Sequence, residues 1–189
     1  MAKLTITEAL QEVKTIASRV DKKQNSIGNY IARDSRIRDP LEKTGGSTDF
    51  IKKERQAIAD LRTRLISIRS AIQSTNLSSD FAICGITKKV ADWLTWRREV
   101  SAGEKQFVDS MLAGIRRVRN EVQQKGGRVT ATSMGSSAMS ESYSPTDPPN
   151  IVVNVDEMEL MKEQESIETC LGELDGKLSL FNATTFVEV

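Results

Sequence analysis

ITEALQEVKTIASRVDKKQNSIGNYI, residues 6–31, carries a stripe of apolar side chains at alternating steps of four and three. This spacing is typical of a heptad seam, along which one helix packs against another. Thr5 and Glu8 fit a capping box, which would close the N-terminus of the helix. We therefore predict a long first helix, in which Gln24 either fixes the register of the seam or faces water where the seam ends. The predicted seam consists of Ile6, Leu10, Val13, Ala17, Val20, Gln24, Ile27 and Ile31.

A second seam of the same kind follows a stretch of turn residues that ends with Gly45-Gly46. The helix that carries it is predicted to open at Ser47 or Thr48. Two long helices with matching seams and a connecting loop favour an antiparallel helical hairpin. The fold class that we predict is mainly α, a long coiled-coil-like helical hairpin with a small C-terminal strand–helix–strand unit. The seam positions of the second helix are Ile51, Glu54, Ile58, Leu61, Leu65, Ile68 and Ile72.

Three segments are predicted along the chain. Residues 1–125 contain the hairpin and two following helices, one capped by Thr87 and one opening with a second capping box at residues 101–104. Residues 126–150 are rich in Ser, Thr, Gly and Pro, which indicates a flexible linker. Residues 151–189 form the strand–helix–strand unit. It is too small to be stable without a partner surface, so we expect it to dock onto neighbouring copies and drive oligomerisation.

Charge is divided unevenly along the sequence. Residues 1–128 hold 25 Lys and Arg against 15 Asp and Glu, a net charge of +10, whereas residues 129–189 carry a net charge of −9. Three interpretations stay open: the basic part binds nucleic-acid phosphates, it pairs with the acidic part of a neighbouring copy, or both parts are solvated helix faces. Nucleic acid is the least favoured partner, because no aromatic residues alternate with the basic ones to stack on bases.

The composition excludes several kinds of chemistry. The chain has no histidine, which removes His-based triads and imidazole metal sites. No glycine-rich phosphate loop is present, and the C-terminal acids are spread around a helix. Cys84 and Cys170 are expected to be isolated thiols that pack as small apolar side chains. We therefore predict that the protein is not an enzyme and has no catalytic residues, no metal site and no cofactor.

Three short motifs follow the two predicted long helices: Thr75-Asn76, Gly85-Ile86-Thr87 and Trp93-Leu94-Thr95-Trp96-Arg97-Arg98. In this order they resemble the septicolysin-like helical-hairpin proteins, versions of which are carried by bacteria and their tailed phages. The resemblance covers roughly residues 1–100 and leaves the C-terminal part of the chain outside it. It implies a helical hairpin and a phage or bacterial setting, and it brings neither an established reaction nor catalytic residues.

Two groups of residues are candidate sites. Tryptophans and arginines form a candidate partner- or ligand-binding group, since these side chains are suited to anchoring partners and anions. Alternatively, the tryptophans seal the base of the hairpin and the arginines stay in water. The heptad seam of the C-terminal helix is a candidate oligomer interface. The first group is Trp93, Trp96, Arg97, Arg98, Arg116, Arg117 and Arg119, and the second is Ile167, Leu171, Leu174, Leu178 and Phe181.

The function that these observations favour is that of a non-enzymatic, self-associating helical protein. It would be a phage virion or assembly component that contacts itself and other virion or host proteins. A second hypothesis is a phage anti-defence protein that sequesters an anionic nucleotide or a host protein between subunits, and a third is a nucleic-acid-binding accessory protein. No membrane span or signal peptide is apparent, and with isolated thiols the expected location is the host cytoplasm or the virion.

Overall fold

The computed structural model describes residues 3–131 and 150–189, and most of them are helical. Within those residues, short strands pair in three two-stranded sheets, and no helix is both long enough and apolar enough to span a membrane. The chain is therefore mainly α, as the heptad spacing predicts. The helices are α1 (Ile6–Gly28), α2 (Gly46–Ser78), α3 (Val90–Thr95), α4 (Ser101–Gln124) and α5 (Glu157–Thr184), and the strands are β1 (Lys3–Thr5), β2 (Asp80–Ile83), β3 (Ile86–Lys89), β4 (Arg128–Ala131), β5 (Asn150–Val153) and β6 (Phe186–Glu188).

The chain divides into two compact units. The first unit combines the N-terminal residues up to Phe81 with residues 89–91 and 176–189. The second unit contains residues 82–88 and 92–175. This division differs from the predicted one, because the C-terminal strand–helix–strand segment is shared between the two units. Its strands pair with distant strands, β5 with β4 and β6 with β1, so the segment does not stand alone.

The predicted linker is described only at its two ends. Gly126 has a positive φ of 69° directly after α4, which suits a residue without a side chain. The strands β4 and β5 then pair in parallel, with Val129 opposite Ile151 and Thr130 opposite Val152. The part of the predicted linker at 132–149 lies outside the described residues.

Helices α1 and α2 form the hairpin of the first unit. The capping box at the start of α1 is confirmed, since the Thr5 hydroxyl accepts a hydrogen bond from the Glu8 amide and the Glu8 carboxylate accepts one from the Thr5 amide at 2.8 Å. Two ion pairs link the helices in antiparallel order, Lys23 with Glu54 at 2.8 Å and Glu12 with Arg64 at 3.0 Å. Each is partly exposed and contributes little stability, and both agree with one antiparallel register.

The buried seam of α1 differs from the predicted one. Ile6 and Val13 are buried as expected, but the other buried positions of α1 are Ala9 and Ile16, where the prediction has Leu10 and Ala17. Leu10 is 42% exposed, and Ala17 and Gln24 are exposed. The predicted and the observed positions both follow steps of three and four. Which set is buried therefore depends on the elements that pack against α1. Ala9 is completely buried, and its small side chain allows those neighbours to approach closely.

The two ends of the described chain are joined by strand pairing in the first unit. Strand β1 pairs with β6 in antiparallel register, with Leu4 opposite Val187. The Ile6 amide donates a hydrogen bond to the Thr185 carbonyl at 3.0 Å, which continues the pairing to the first turn of α1. Val187 is buried in the same core as Ile6 and Ile68, so the C-terminal strand is part of the hairpin's packing.

Helix α3 continues into α4 without a break. A π-helical segment, Trp96–Val100, connects them, and the predicted caps are not used. Thr87 lies in β3 and is not an N-cap, and the Ser101 hydroxyl donates back to the Arg97 carbonyl at 2.9 Å. The second predicted capping box is therefore wrong, because residues 101–104 lie inside a helical run whose amides already have backbone partners.

The core of the second unit lies between α4 and α5. Its buried residues from α4 are Val108, Leu112 and Ile115, and those from α5 are Leu160 and Ile167. The N-terminus of α5 is closed by the Asp156 carboxylate, which accepts a hydrogen bond from the Met158 amide at 2.8 Å.

Candidate functional site: the arginine row on α2

The predicted tryptophan cluster forms, but it is a packing cluster. Trp93 is buried, and its ring packs edge-to-face on Trp96 with centroids 5.6 Å apart. The Trp96 ring nitrogen donates to the Glu104 carboxylate at 3.0 Å, and the Lys88 ammonium lies 5.0 Å from the centre of the Trp93 ring. The indole surfaces therefore already have partners within the chain.

The predicted arginine group is not gathered into one site. Arg97 and Arg98 lie on the π-helical segment, where Arg97 pairs with Asp175 at 2.8 Å and Arg98 with Glu99 at 2.6 Å. Arg119, on α4, pairs with Glu157 at 2.6 Å. The remaining two, Arg116 and Arg117, are exposed on α4 and form no ion pair among the described residues. About 28 Å of helix separates the two arginine clusters, so one small ligand does not reach both.

The predicted oligomer interface on α5 is largely buried within the single chain. Ile167 packs in the core of the second unit with Leu171 against it, while Phe181 packs against the core of the first unit. Leu174 and Leu178 are also buried. These side chains therefore have apolar neighbours without a second copy, and they are not an available docking surface.

A different charged surface stands out on α2. Arg55, Arg62 and Arg69 are spaced seven residues apart, which places them on one face at intervals of about 10 Å. All three are exposed, and none forms an ion pair within residues 3–131 and 150–189. The neighbouring Arg64 differs, because it is paired with Glu12. We call Arg55, Arg62 and Arg69 the arginine row.

An open groove runs beside the arginine row in the first unit. It consists of two adjoining depressions of about 510 Å³ and 400 Å³, which share Arg55 and Ala59 as lining residues. Ile27, Ile51 and Ile58 contribute apolar surface to its walls. A basic rim over apolar walls is suited to an elongated partner that carries both carboxylates and apolar side chains. The sequence pattern shows these arginines only as flanks of a seam, since it does not reveal which of them have acidic partners.

Another cleft in the first unit, of about 700 Å³, is less suited to an anion. It is formed by the loop between α1 and α2 and includes three arginines. Arg36 is bound to Asp34 and Arg38 to Glu42, while Arg33 donates to the Ile37 carbonyl at 2.8 Å. Each guanidinium is therefore already engaged within the loop.

Asp39 anchors this loop to the start of α2. Its carboxylate accepts hydrogen bonds from the Ser47 hydroxyl at 2.7 Å, from the Ser47 amide at 2.8 Å and from the Leu41 amide at 2.9 Å. These bonds, chiefly those from Ser47, lower the pKa of Asp39 from 3.8 to about 2. The position of Asp39 eight residues before Ser47 gives no local capping signal, so sequence reasoning missed it.

We expect the Asp39 contacts to stabilise the protein only while the carboxyl group is ionised. Because the folded-state pKa lies below the ordinary value, the stabilisation is present above pH 3.8 and is lost as the pH falls towards about 2. The measurement is urea unfolding of wild type and Asp39→Asn across this range. The difference in free energy of unfolding between them should shrink as the pH falls, and a constant difference would contradict the assignment.

The two cysteines are neither isolated nor both buried. Cys84 and Cys170 form a disulfide, with their Cα atoms 5.7 Å apart and a sequence separation of 86 positions. Cys84 is exposed, and Cys170 is half-buried. The prediction of two separate thiols was therefore wrong, because the pairing depends on long-range packing that local sequence does not show.

Comparison with known proteins adds no assignment: no protein-family model, curated protein or solved structure matches the chain. In the described ranges, no group of three or more acidic or cysteine side chains is arranged to hold a metal ion.

Proposed function

We propose that this protein is non-enzymatic and acts by associating with further copies of itself, through contact between a basic surface and an acidic surface. The two units carry opposite charge in support of this. The first has 17 Lys and Arg against 11 Asp and Glu, a net charge of +6, and the second has 10 against 15, a net charge of −5. Opposite net charges favour encounters in which unlike units meet.

The observation that carries the proposal is the arginine row. Three guanidinium groups lie along one helix face without an acidic partner among the described residues, beside a groove with apolar walls. Guanidinium groups bind carboxylates through paired, charge-assisted hydrogen bonds, and the apolar walls add the burial that stabilises a contact.

The matching surface in the second unit is the N-terminal half of α5. Glu159 and Glu163 lie one turn apart on the same face, are exposed and form no ion pair in the part of the chain that the structure describes. Met158 and Met161 are exposed beside them, and methionine adapts readily to partner surfaces. This surface thus offers carboxylates together with apolar side chains, which complements the groove on α2.

The two surfaces belong to different parts of the chain, so the contact is head-to-tail. Contacts of this kind close into a ring or extend into a filament, depending on the rotation between successive copies. Either product suits an assembly component. A phage virion, with the protein in the virion or the host cytoplasm, is the setting that we propose on the strength of the septicolysin-like resemblance.

We expect charge reversal on the arginine row to weaken association. Arg55→Glu/Arg62→Glu places like charges opposite the acidic surface and should raise the dissociation constant by more than about tenfold in low salt. The measurement is sedimentation velocity over a range of concentrations. Arg19→Glu/Lys22→Glu, on exposed positions of α1, makes the same change in net charge and should leave association nearly unchanged.

A rescue experiment identifies the partner surface. Glu159→Arg/Glu163→Arg alone should also weaken self-association, but a mixture of this variant with the arginine-row variant should recover hetero-association. Added salt should weaken the wild-type contact. A wild-type protein that remains monomeric in low salt, or variants that associate as wild type does, would overturn the proposal.

The arginine row also favours a second candidate function, binding of an anionic ligand such as a nucleotide. Phosphates accept the same paired hydrogen bonds as carboxylates do. In a thermal-shift screen, this function predicts that a nucleotide raises the melting temperature of wild type but not of Arg55→Glu/Arg62→Glu. Self-association without any such shift would favour the first function.

A further inference from the structure

The turn between β2 and β3 has a cysteine at a position where hairpin turns usually have Asn or Asp. It consists of Cys84 and Gly85, with positive φ angles of 48° and 77°. Two successive positive φ angles are typical of a tight two-residue hairpin turn, where Asn-Gly or Asp-Gly is the usual pair. A cysteine in the first position is therefore not explained by the turn itself.

Two contacts fasten this turn to α5 within the second unit. The Cys84 sulfur is bonded to that of Cys170, and the Cys84 amide donates a hydrogen bond to the Glu173 carboxylate at 2.9 Å. Cys170 and Glu173 are three residues apart and therefore lie on the same face of the helix. One covalent contact and one hydrogen bond thus act on a single residue of the turn.

We propose that Cys84 and Cys170 form a reversible thiol–disulfide exchange site whose co-reactants are small thiols and their disulfides. Cys84 is the exposed member of the pair, so its sulfur is the accessible point of attack. A thiolate forms a mixed disulfide with Cys84, and Cys170 leaves as a thiolate. A second small thiol then attacks the mixed disulfide and releases Cys84. Overall, two small thiols are oxidised to one disulfide. The two electrons and two protons that they lose reduce the Cys84–Cys170 disulfide to two thiols.

The exposed position of Cys84 distinguishes this bond from a buried structural crosslink. In the host cytoplasm, one of the two locations that we propose, disulfides are of the transient or sensing kind. After reduction, the Glu173 hydrogen bond remains as the contact of the Cys84 amide with α5. An exposed hydrogen bond is a weak constraint, so the reduced turn opens more often.

The test combines thiol equilibration with hydrogen exchange. Full-length protein is equilibrated in glutathione buffers from strongly reducing to strongly oxidising, and intact mass reports the fraction in which the disulfide is present. We expect the disulfide to form and break within this range. We also expect the Cys84 amide to exchange about tenfold faster in the reduced protein, with the α1 amides unchanged.

Two variants that cannot form the disulfide serve as controls. Cys84→Ser and Cys170→Ser should each show the fast exchange of reduced wild type in every buffer. A disulfide that persists in all buffers would identify a fixed crosslink, and one that never forms would mean that no exchange site exists. Equal exchange of the turn in oxidised and reduced protein would show that the bond does not hold it. Each of these three results overturns the proposal.

Discussion

Replacing Ile68 by alanine is expected to lower the free energy of unfolding by about 3–4 kcal/mol. Ile68 has no exposed surface and packs in the core of the first unit with Ile6, Val13 and Val187. The substitution removes three carbons from a close-packed site where α1, α2 and β6 meet, and a cavity there cannot collapse without moving one of them. Equilibrium unfolding in guanidinium chloride, followed by circular dichroism, measures the change.

Ile66 provides a matched control on the same helix. Its side chain is 64% exposed, only two residues from Ile68. Ile66→Ala makes the identical chemical change and should alter the free energy of unfolding by no more than about 0.5 kcal/mol. Similar losses for both variants would mean that α2 presents a different face to α1, and the assignment of the core would then be wrong.

The hairpin could be predicted because its signals are local and repeated. Steps of three and four over many turns indicate helices, and the capping box at Thr5 fixes where the first one begins. The exact seam of α1 could not be predicted, because Ala9 and Ile16 fit the spacing as well as Leu10 and Ala17 do. Only the positions of α2 and β6 decide which set is buried.

Contacts between residues that are distant in sequence could not be predicted from local patterns. The Cys84–Cys170 bond and the capping of α2 by Asp39 join residues that no local pattern connects. The arginine row could not be predicted either, because a local pattern does not show which arginines lack an acidic partner within the described residues. The tryptophan and arginine motif was conspicuous in sequence, yet most of its side chains are engaged within the chain.

The charge asymmetry of the sequence left three interpretations open, and part of it is satisfied inside one chain. Acidic residues of α5 pair with basic residues of the second unit, as Glu168 does with Lys105 at 2.6 Å and Glu157 with Arg119. The arginine row and the exposed carboxylates of Glu159 and Glu163 form no ion pair within the described residues, and these are the charges that the proposed contact uses. The proposed contact between copies therefore involves fewer charged residues than the net charges of the two parts of the sequence indicate.

Replacing Leu174 by alanine is expected to lower the free energy of unfolding by about 3 kcal/mol. Leu174 has no exposed surface, and it lies in the middle of the α5 seam between Ile167 and Phe181. Leu180→Ala is the matched control, because Leu180 is 66% exposed on the same helix and its truncation should change stability by no more than about 0.5 kcal/mol. Chemical unfolding of both variants beside wild type gives the two values.

The dependence of this loss on protein concentration separates two explanations of the seam. If α5 is buried by its own chain, the loss caused by Leu174→Ala should be the same at about 1 µM and about 100 µM protein. If the seam were instead buried between copies, dilution would expose it, and the stability of wild type would fall with concentration until it approached that of the variant. The heptad spacing is compatible with both arrangements, since a seam specifies an apolar partner and not the chain that supplies it. In this fold α5 contributes residues to the cores of both units, so a long, thin stripe is buried without a second copy.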